Sequence, residues 1–168
     1  MKRPRIKIEL NGFDKILEAL GFLILIGVIV YPFLEYASLP DRVPVHYDAS
    51  GTPDRYGSKS HVWIIVILSS FLYIGMFFLN RFPHLFNFPM EITEENAERQ
   101  YRLATKMIRG VNVIIVAGFF FINYQSIEVA KGNADGLGKS FLFTFLGSLT
   151  IGIVWYFIVA FKKPEKSN

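Results

Sequence analysis

The segment Leu39-Pro-Asp-Arg-Val-Pro-Val-His-Tyr-Asp-Ala-Ser-Gly-Thr-Pro-Asp-Arg-Tyr-Gly-Ser-Lys59 is polar and rich in turn residues, and it lies between two long apolar runs. Proline fixes φ and glycine tolerates positive φ, so Pro53, Gly51 and Gly57 mark points where the chain can reverse. We therefore expect this segment to form a small folded cap between two apolar helices.

Within the segment, the residues from 43 to 48 alternate between apolar and polar side chains. A period of two predicts a short strand, and Pro44 makes it an edge strand because proline has no N–H to donate. Its two faces would be Val43, Val45 and Tyr47, and Pro44, His46 and Asp48. The following turn sequences should return the chain toward the second apolar run.

Outside this segment the chain is dominated by apolar runs. Hydrophobic residues make up 52% of the 168 residues and charged residues only 19%, and a helix needs about 20 apolar residues to cross a bilayer. We predict an all-α membrane protein with one integral membrane domain, residues 1–168. Its spans would be about 16–36, 62–80, 107–127 and 140–161, with an outer loop at 37–61 and a cytoplasmic loop at 81–106. The first run is longer than a signal-peptide core and ends without a small-x-small cleavage pattern, so we expect it to be retained.

The basic residues are distributed unevenly across these four spans. Of the 18 Lys and Arg residues, 13 fall on the side that carries both chain ends and the middle loop. The positive-inside rule then predicts that both termini are cytoplasmic and that the 37–61 loop is extracytoplasmic. The same distribution explains the net charge of +4 without nucleic acid, because the basic residues flank helices instead of forming a binding face.

The middle loop predicts an amphipathic cytoplasmic helix that leads into the third span. Thr93 is a candidate N-cap, and Glu94 and Glu95 place negative charge in the first turn. A basic stripe follows at helical spacing, namely Arg99, Arg102, Lys106 and Arg109. This stripe either meets water and anionic lipid or docks a cytoplasmic protein.

Small residues recur every four positions along the fourth span, at Thr144, Ser148 and Gly152. This spacing places them on one helix face, where small side chains allow close helix packing. We predict that this face packs inside the bundle or against a second copy of the chain.

The residues that could bind a metal ion or take part in catalysis are concentrated in the cap. His46, Asp48, Asp54 and His61 could converge on a metal ion, or the two aspartates could instead hydrogen-bond nearby backbone N–H groups. The sequence has no cysteine and no zincin, nucleophile-elbow or P-loop motif, so it favours a protein without enzymatic activity or cofactor. The candidate ligand-recognition residues are His46, Tyr47, Asp48, Gly51, Pro53, Asp54, Tyr56, Gly57 and Lys59.

Residues 39–59 resemble the amino-terminal domain of the SdpI-type bacterial membrane immunity proteins, a domain of unknown function, and residues 87–103 are similar to the segment that follows in many of them. The chain resembles that domain without the additional membrane portion. The resemblance implies a bacterial inner-membrane protein that protects against a secreted toxin and sequesters a repressor at its cytoplasmic face. It implies no catalytic residues.

Three hypotheses for function follow. The first is a non-enzymatic membrane protein whose 39–59 loop recognises a toxin, peptide or envelope component, with signalling through the basic stripe. The second is a small membrane enzyme or permease subunit that uses His46, Asp48 and Asp54. The third is a structural assembly partner that forms an oligomer through the Thr144, Ser148 and Gly152 face.

Overall fold

The computed structural model describes residues 3–162. The basic residues that the topology prediction places at 2, 163 and 166 lie outside this range. The elements, in chain order, are helix α1 (Gly12–Glu35), strands β1 (Arg42–Tyr47) and β2 (Pro53–Ser58), and helices α2 (His61–Leu79), α3 (Ala97–Ala130) and α4 (Phe141–Phe161). Short 3₁₀ turns follow α1 at Tyr36–Ser38 and α2 at Pro83–Leu85.

All four helices are long and apolar enough to cross a membrane, with mean hydropathies of 2.3, 2.4, 1.6 and 2.0 over their most apolar windows. Their outward faces carry large exposed apolar side chains such as Phe33, Phe71 and Phe143. Such faces suit contact with lipid, because a helix in water would lose stability by exposing them. The prediction of a mostly helical membrane-type fold with a small folded segment between the first two helices is confirmed.

Helix α1 begins with a reciprocal cap. The Asn11 side chain accepts from the Asp14 backbone N–H at 2.9 Å, and the Asp14 carboxylate accepts from the Asn11 N–H at 3.1 Å. Pro32 lies inside the last turn of this helix, which continues to Glu35. Near a helix end the missing proline N–H removes only one hydrogen bond, which the tertiary packing of this turn tolerates.

Helix α3 is the centre of the bundle, because α1, α2 and α4 all pack on it. Glycines permit this close approach. A Cβ at Gly118 of α3 would overlap the ring of Phe145 of α4, and one at Gly27 of α1 would lie 3.2 Å from the ring of Phe120. At these positions glycine admits an aromatic ring against the backbone.

Polar contacts join α1 to α3 near the cap end. The Tyr31 hydroxyl donates to the Glu128 carboxylate at 2.6 Å, and Lys131 forms an ion pair with Glu35 at 2.7 Å. Hydrogen bonds to a charged group are stronger than neutral ones, so these contacts fix the register of the two helices at this end.

Strands β1 and β2 form an antiparallel hairpin, which with its flanking turns at 39–60 we call the hairpin cap. The pairing runs from Arg42 opposite Ser58 to Tyr47 opposite Pro53, and its register shifts on either side of His46. The simple alternation predicted for this strand fails at its start, where Val43 and Pro44 are both buried. An irregular register changes the direction in which strand side chains point. The apolar side of the cap, Leu39 and Val43, packs on Val62 of α2 and Ile127 of α3.

At the opposite end of the bundle, the segment before α3 builds a second apolar core. Phe86, Phe88 and Ile92 pack with Tyr101 and with the end of α4. Helix α3 begins at Ala97, later than the predicted start at Thr93. The side chain of Asn96 accepts from the Thr93 N–H and donates to the Glu91 carbonyl, and this local turn competes with the helix. From Ala97 the amphipathic portion runs into the membrane-type portion as one helix of 34 residues, as expected.

Candidate functional site

The hairpin turn is organised by one carboxylate. Asp48 Oδ1 accepts from the backbone N–H groups of Ser50 and Thr52, both at 2.9 Å, and from the Ser50 hydroxyl at 2.6 Å. The hydroxyl and then the Thr52 N–H, by bonding the charged form, hold the pKa of Asp48 below its ordinary value. Asp48 therefore stabilises the turn, because its Oδ1 atom accepts hydrogen bonds from three donors.

The stability of this turn should depend on pH. Because the pKa of Asp48 is lower in the folded cap than in an unfolded chain, about 3.9, its contribution is fully present above about pH 4 and is lost as the pH falls through the lowered value. We expect the NMR shift of the Thr52 amide proton to titrate with a midpoint below about 3.9, and the titration to vanish in Asp48→Asn. A midpoint at or above the ordinary value would contradict this assignment.

The tip of the hairpin is seated against the loop between α3 and α4. The Leu137 N–H donates to the Gly51 carbonyl at 2.8 Å, and Gln125 donates to the Gly136 carbonyl at 3.0 Å. A Cβ at Gly136 would overlap the Gly51 carbonyl, and one at Gly51 would lie 2.7 Å from the Gly138 oxygen. The glycine-rich composition of residues 130–139 is typical of a flexible turn. In the structure two of these glycines, Gly136 and Gly138, instead form the contact on which the tip of the cap rests.

A second attachment lies on the inward side of the hairpin. The Tyr47 hydroxyl and the Ser126 hydroxyl of α3 are 2.9 Å apart, and burial raises the pKa of Tyr47. A buried tyrosine usually finds such a partner, since an unpaired hydroxyl would be costly. Together with the Gly51 contact, this bond holds the hairpin at two points.

The opposite side of the hairpin is exposed and carries a charged pair. His46 Nδ1 lies 2.6 Å from Asp54 Oδ1, and the side chains are 54% and 46% exposed. Arg42, whose guanidinium donates to the Tyr56 carbonyl at 2.8 Å, extends along the same hairpin. We use the name recognition face for five exposed residues of the two strands, Arg42, His46, Asp54, Arg55 and Tyr56. The last three are consecutive, so their side chains project from alternate sides of the strand.

The nine predicted recognition residues therefore divide by position. His46, Asp54 and Tyr56 belong to the recognition face. The other six support the hairpin, namely Tyr47, Asp48, Gly51, Pro53, Gly57 and Lys59. A Cβ at Gly57 would lie 2.9 Å from Val45, and Lys59 Nζ lies 5.3 Å from the centre of the Tyr36 ring.

The four candidate metal ligands do not come together. His46 meets Asp54, but His61 Nδ1 lies 2.9 Å from the Ser58 carbonyl, and Asp48 is occupied by its own turn. Within residues 3–162, no three His, Asp or Glu side chains are grouped closely enough to hold a metal ion.

Three residues of the predicted basic stripe contact other parts of the chain. Arg99 donates to the Val159 and Lys162 carbonyls at 2.6 and 2.9 Å and so caps the end of α4. Arg102 donates to the Glu9 carbonyl at 3.2 Å, and Lys106 lies 5.6 Å from the centre of the Phe13 ring. These contacts tie the stripe to the amino-terminal segment and to α4. A docking role for its remaining exposed atoms stays a prediction.

The fourth basic residue, Arg109, is 5% exposed. Its Nε donates to Glu18 at 2.9 Å, and its Nη1 lies 3.8 Å from Asp14. Arg81, at the end of α2, lies 3.8 Å from the same Glu18. We call Asp14, Glu18 and Arg109 the buried ion cluster. Nothing in "Sequence analysis" predicts this cluster, although the spacing of Asp14 and Glu18 by four residues places both on one face of α1.

Unpaired polar atoms surround a small cavity beside this cluster. Among the described residues, Arg109 Nη1, Asn80 Oδ1 and Asn112 Oδ1 are buried without a hydrogen-bond partner. The three residues line a cavity of about 10 Å³, which approaches the space that one water molecule needs. One water could accept from the guanidinium and donate to both amides, which would satisfy all three groups.

The small-residue face of α4 is only partly covered, with Ser148 and Gly152 half-buried. Thr144 is exposed, Ser148 donates to the Phe145 carbonyl of its own helix at 2.8 Å, and a Cβ at Gly152 would meet nothing within 4 Å. The close packing between α3 and α4 occurs instead at Gly118. Association with a second copy through the α4 face stays a prediction.

Fold and cap together define a helical protein of the membrane-spanning type. Residues 21–69 match a family model described as "Domain of unknown function (DUF1648)", and this range covers most of α1, the whole hairpin cap and the first part of α2. An uncharacterized protein of Archaeoglobus fulgidus is 29% identical over 129 residues, which cover 68% of this chain and 70% of that protein. No solved structure matches.

Proposed function

We propose that the chain is a non-enzymatic integral membrane protein that recognises an extracytoplasmic toxin, peptide or envelope component through its recognition face. The observation that carries this proposal is the exposed His46 and Asp54 pair, 2.6 Å apart, on a hairpin whose other side is fixed by Tyr47 and Gly51. A rigid hairpin loses little conformational entropy on binding. Tyrosine and arginine, both present on this face, are enriched among residues that dominate binding energy.

The matched domain supports a role in immunity as one form of this recognition, because the domain is found in SdpI-type proteins. Immunity requires contact with a toxin outside the cell, and the exposed residues of the hairpin cap supply hydrogen-bonding and charged groups for it. A cytoplasmic partner, such as a repressor, would contact the exposed parts of Arg102 and Lys106. Arg99 and Arg109 have fewer free donors because of their contacts within the chain.

The function is tested by expressing the protein in a toxin-sensitive bacterium that is challenged with a panel of antimicrobial peptides. We expect wild type to raise the inhibitory concentration of at least one peptide about tenfold or more, as tight binding would, and His46→Ala/Asp54→Ala to abolish this protection. Both residues are exposed, so the double variant should fold.

The matched control is Glu94→Ala/Glu95→Ala, which also removes two exposed side chains but lies at the other end of the bundle. It should protect like wild type. Unchanged killing in cells with wild type and with the double variant, across the whole panel, would count against recognition of a toxin.

The proposed location is the bacterial inner membrane with both termini in the cytoplasm, supported by the distribution of Lys and Arg. We expect a membrane-impermeant maleimide added to intact spheroplasts to label Ser50→Cys but not Asn96→Cys, with both labelled after lysis. Ser50 is exposed in the hairpin turn, whereas Asn96 precedes α3 at the other end of the bundle. Labelling of Asn96→Cys alone would reverse the proposed orientation.

A further inference from the structure

An apolar cleft runs along α3 at the end of the bundle opposite the hairpin cap. Two adjoining grooves, of about 420 and 300 Å³, share Phe88, Met107 and Tyr156 as walls. Leu79 of α2 borders one groove and Ile153 of α4 the other, so the cleft lies between these two helices. We call it the α2–α4 cleft.

The size of the cleft suits one flexible chain and not a helix. Each groove lies within or near the range of about 300–1,000 Å³ that is usual for small-ligand pockets. One turn of a helix, about 10–12 Å wide and 5.4 Å long, occupies on the order of 500 Å³. A transmembrane helix from a second copy could therefore insert no more than about a turn, whereas an extended hydrocarbon chain fits along the groove.

The polar groups of the cleft lie toward its loop end. Tyr156 is 4% exposed and lines both grooves, and its phenolic hydroxyl is a hydrogen-bond donor. A tyrosine hydroxyl at an apolar site favours an oxygen acceptor, which an occupant of the cleft can supply. Asn87, whose side chain is exposed at the same end, lines both grooves.

Positive charge is present at this end as well. The Arg3 guanidinium lies 5.6 Å from the centre of the Phe88 ring and donates to the Phe86 carbonyl. Arginine has five N–H donors, so this guanidinium retains donors for a further acceptor. An occupant with an apolar chain, oxygen acceptors and negative charge matches the walls, the tyrosine and the arginine together.

We propose that the α2–α4 cleft binds one acyl chain of a glycerophospholipid, whose ester and phosphate oxygens accept hydrogen bonds from Tyr156 and Asn87. The lipid comes from the leaflet that adjoins the 83–90 loop. Its chain fills the space between α2 and α4, which both pack on α3. This lipid site is separate from the recognition face. The proposal of lipid binding does not depend on the function proposed for the recognition face.

The test is native mass spectrometry of the full chain purified in dodecyl maltoside. Met107→Trp places a bulky side chain in the cleft, and Tyr156→Phe removes only the hydroxyl. The control is Ile151→Trp, which changes a residue of α4 that is 71% exposed and outside the cleft. We expect wild type and the control to retain one phospholipid, and Met107→Trp to retain about tenfold less, a difference of about 1.4 kcal/mol in affinity.

A second measurement keeps the proposal testable if Met107→Trp fails to fold. Delipidated wild type should gain about 5 °C in Tm when phosphatidylglycerol is added to the micelles at saturating concentration, and Tyr156→Phe should gain clearly less. Wild type that retains no phospholipid and gains no Tm overturns the proposal. Equal retention by wild type and folded Met107→Trp overturns it too, as does a dimer in wild type that Met107→Trp dissociates without loss of lipid.

Discussion

Replacing Arg109 by methionine is expected to lower the free energy of unfolding by about 3–5 kcal/mol, because it leaves the carboxylate of Asp14 buried without a cationic partner and Glu18 with Arg81 alone. Asp14 is 2% exposed, so bulk water does not reach the carboxylate that loses its partner. In differential scanning fluorimetry of the detergent-solubilised protein, this loss should lower Tm by about 10 °C or more.

Two further variants show whether charge pairing is the cause. Arg102→Met removes an arginine whose ion pair with Glu98 is exposed, and the expected loss is about 1 kcal/mol or less. Asp14→Asn/Glu18→Gln/Arg109→Met neutralises the whole buried ion cluster and should recover most of the stability, since a buried charge set can often be replaced by neutral groups. If the triple variant is no more stable than Arg109→Met, the loss arises from packing and not from unpaired charge.

Replacing Gly51 by alanine is expected to release the tip of the hairpin cap from the loop between α3 and α4. Gly51 has a φ of 80°, and its Cβ would lie 2.7 Å from the Gly138 oxygen. Strain at such a position costs on the order of 1–3 kcal/mol, and here the clash is with backbone, which cannot rotate away. We expect hydrogen exchange at the Leu137 amide to accelerate about tenfold or more.

Gly132→Ala is the matched control for the Gly51 experiment. Gly132 has a similar φ of 78°, but a Cβ there would meet nothing within 4 Å. Its substitution carries the backbone cost without the clash, so exchange at Leu137 should change much less. Equal acceleration in the two variants would show that backbone strain alone, and not contact between the loops, governs the seat of the cap.

The architecture of the bundle was predictable from sequence because lipid imposes a simple rule. A chain in a bilayer must satisfy its backbone internally, so each long apolar run is a helix and each polar interruption is a connection. The hairpin followed from proline, glycine and aspartate at turn positions, and Asp48 occupies the turn position expected of it. These inferences need only local sequence.

The contacts between elements were not predictable in the same way. Helical periodicity placed Arg109 on a basic stripe with Arg99 and Arg102, but periodicity does not show which neighbour covers which turn of a stripe. Arg109 faces the acidic side of α1, whereas Arg102 stays half-exposed beside the amino-terminal segment. Gly136 likewise lies in a segment with the composition of a flexible loop. Its contact partner, Gly51, is 85 residues away along the chain, so local sequence does not reveal the contact.

The polar contacts between α1 and α3 at both ends have a mechanical consequence. Tyr31 and Glu35 attach α1 to α3 near the hairpin cap, and the buried ion cluster attaches them near the opposite end. These attachments span most of a helix that is about 36 Å long, so sliding or rotation of α1 against α3 would break hydrogen bonds and ion pairs at two distant points. A force on the cap is therefore transmitted along α1 and α3 as a single unit, to which α4 is joined at Gly118 and Arg99 of α3.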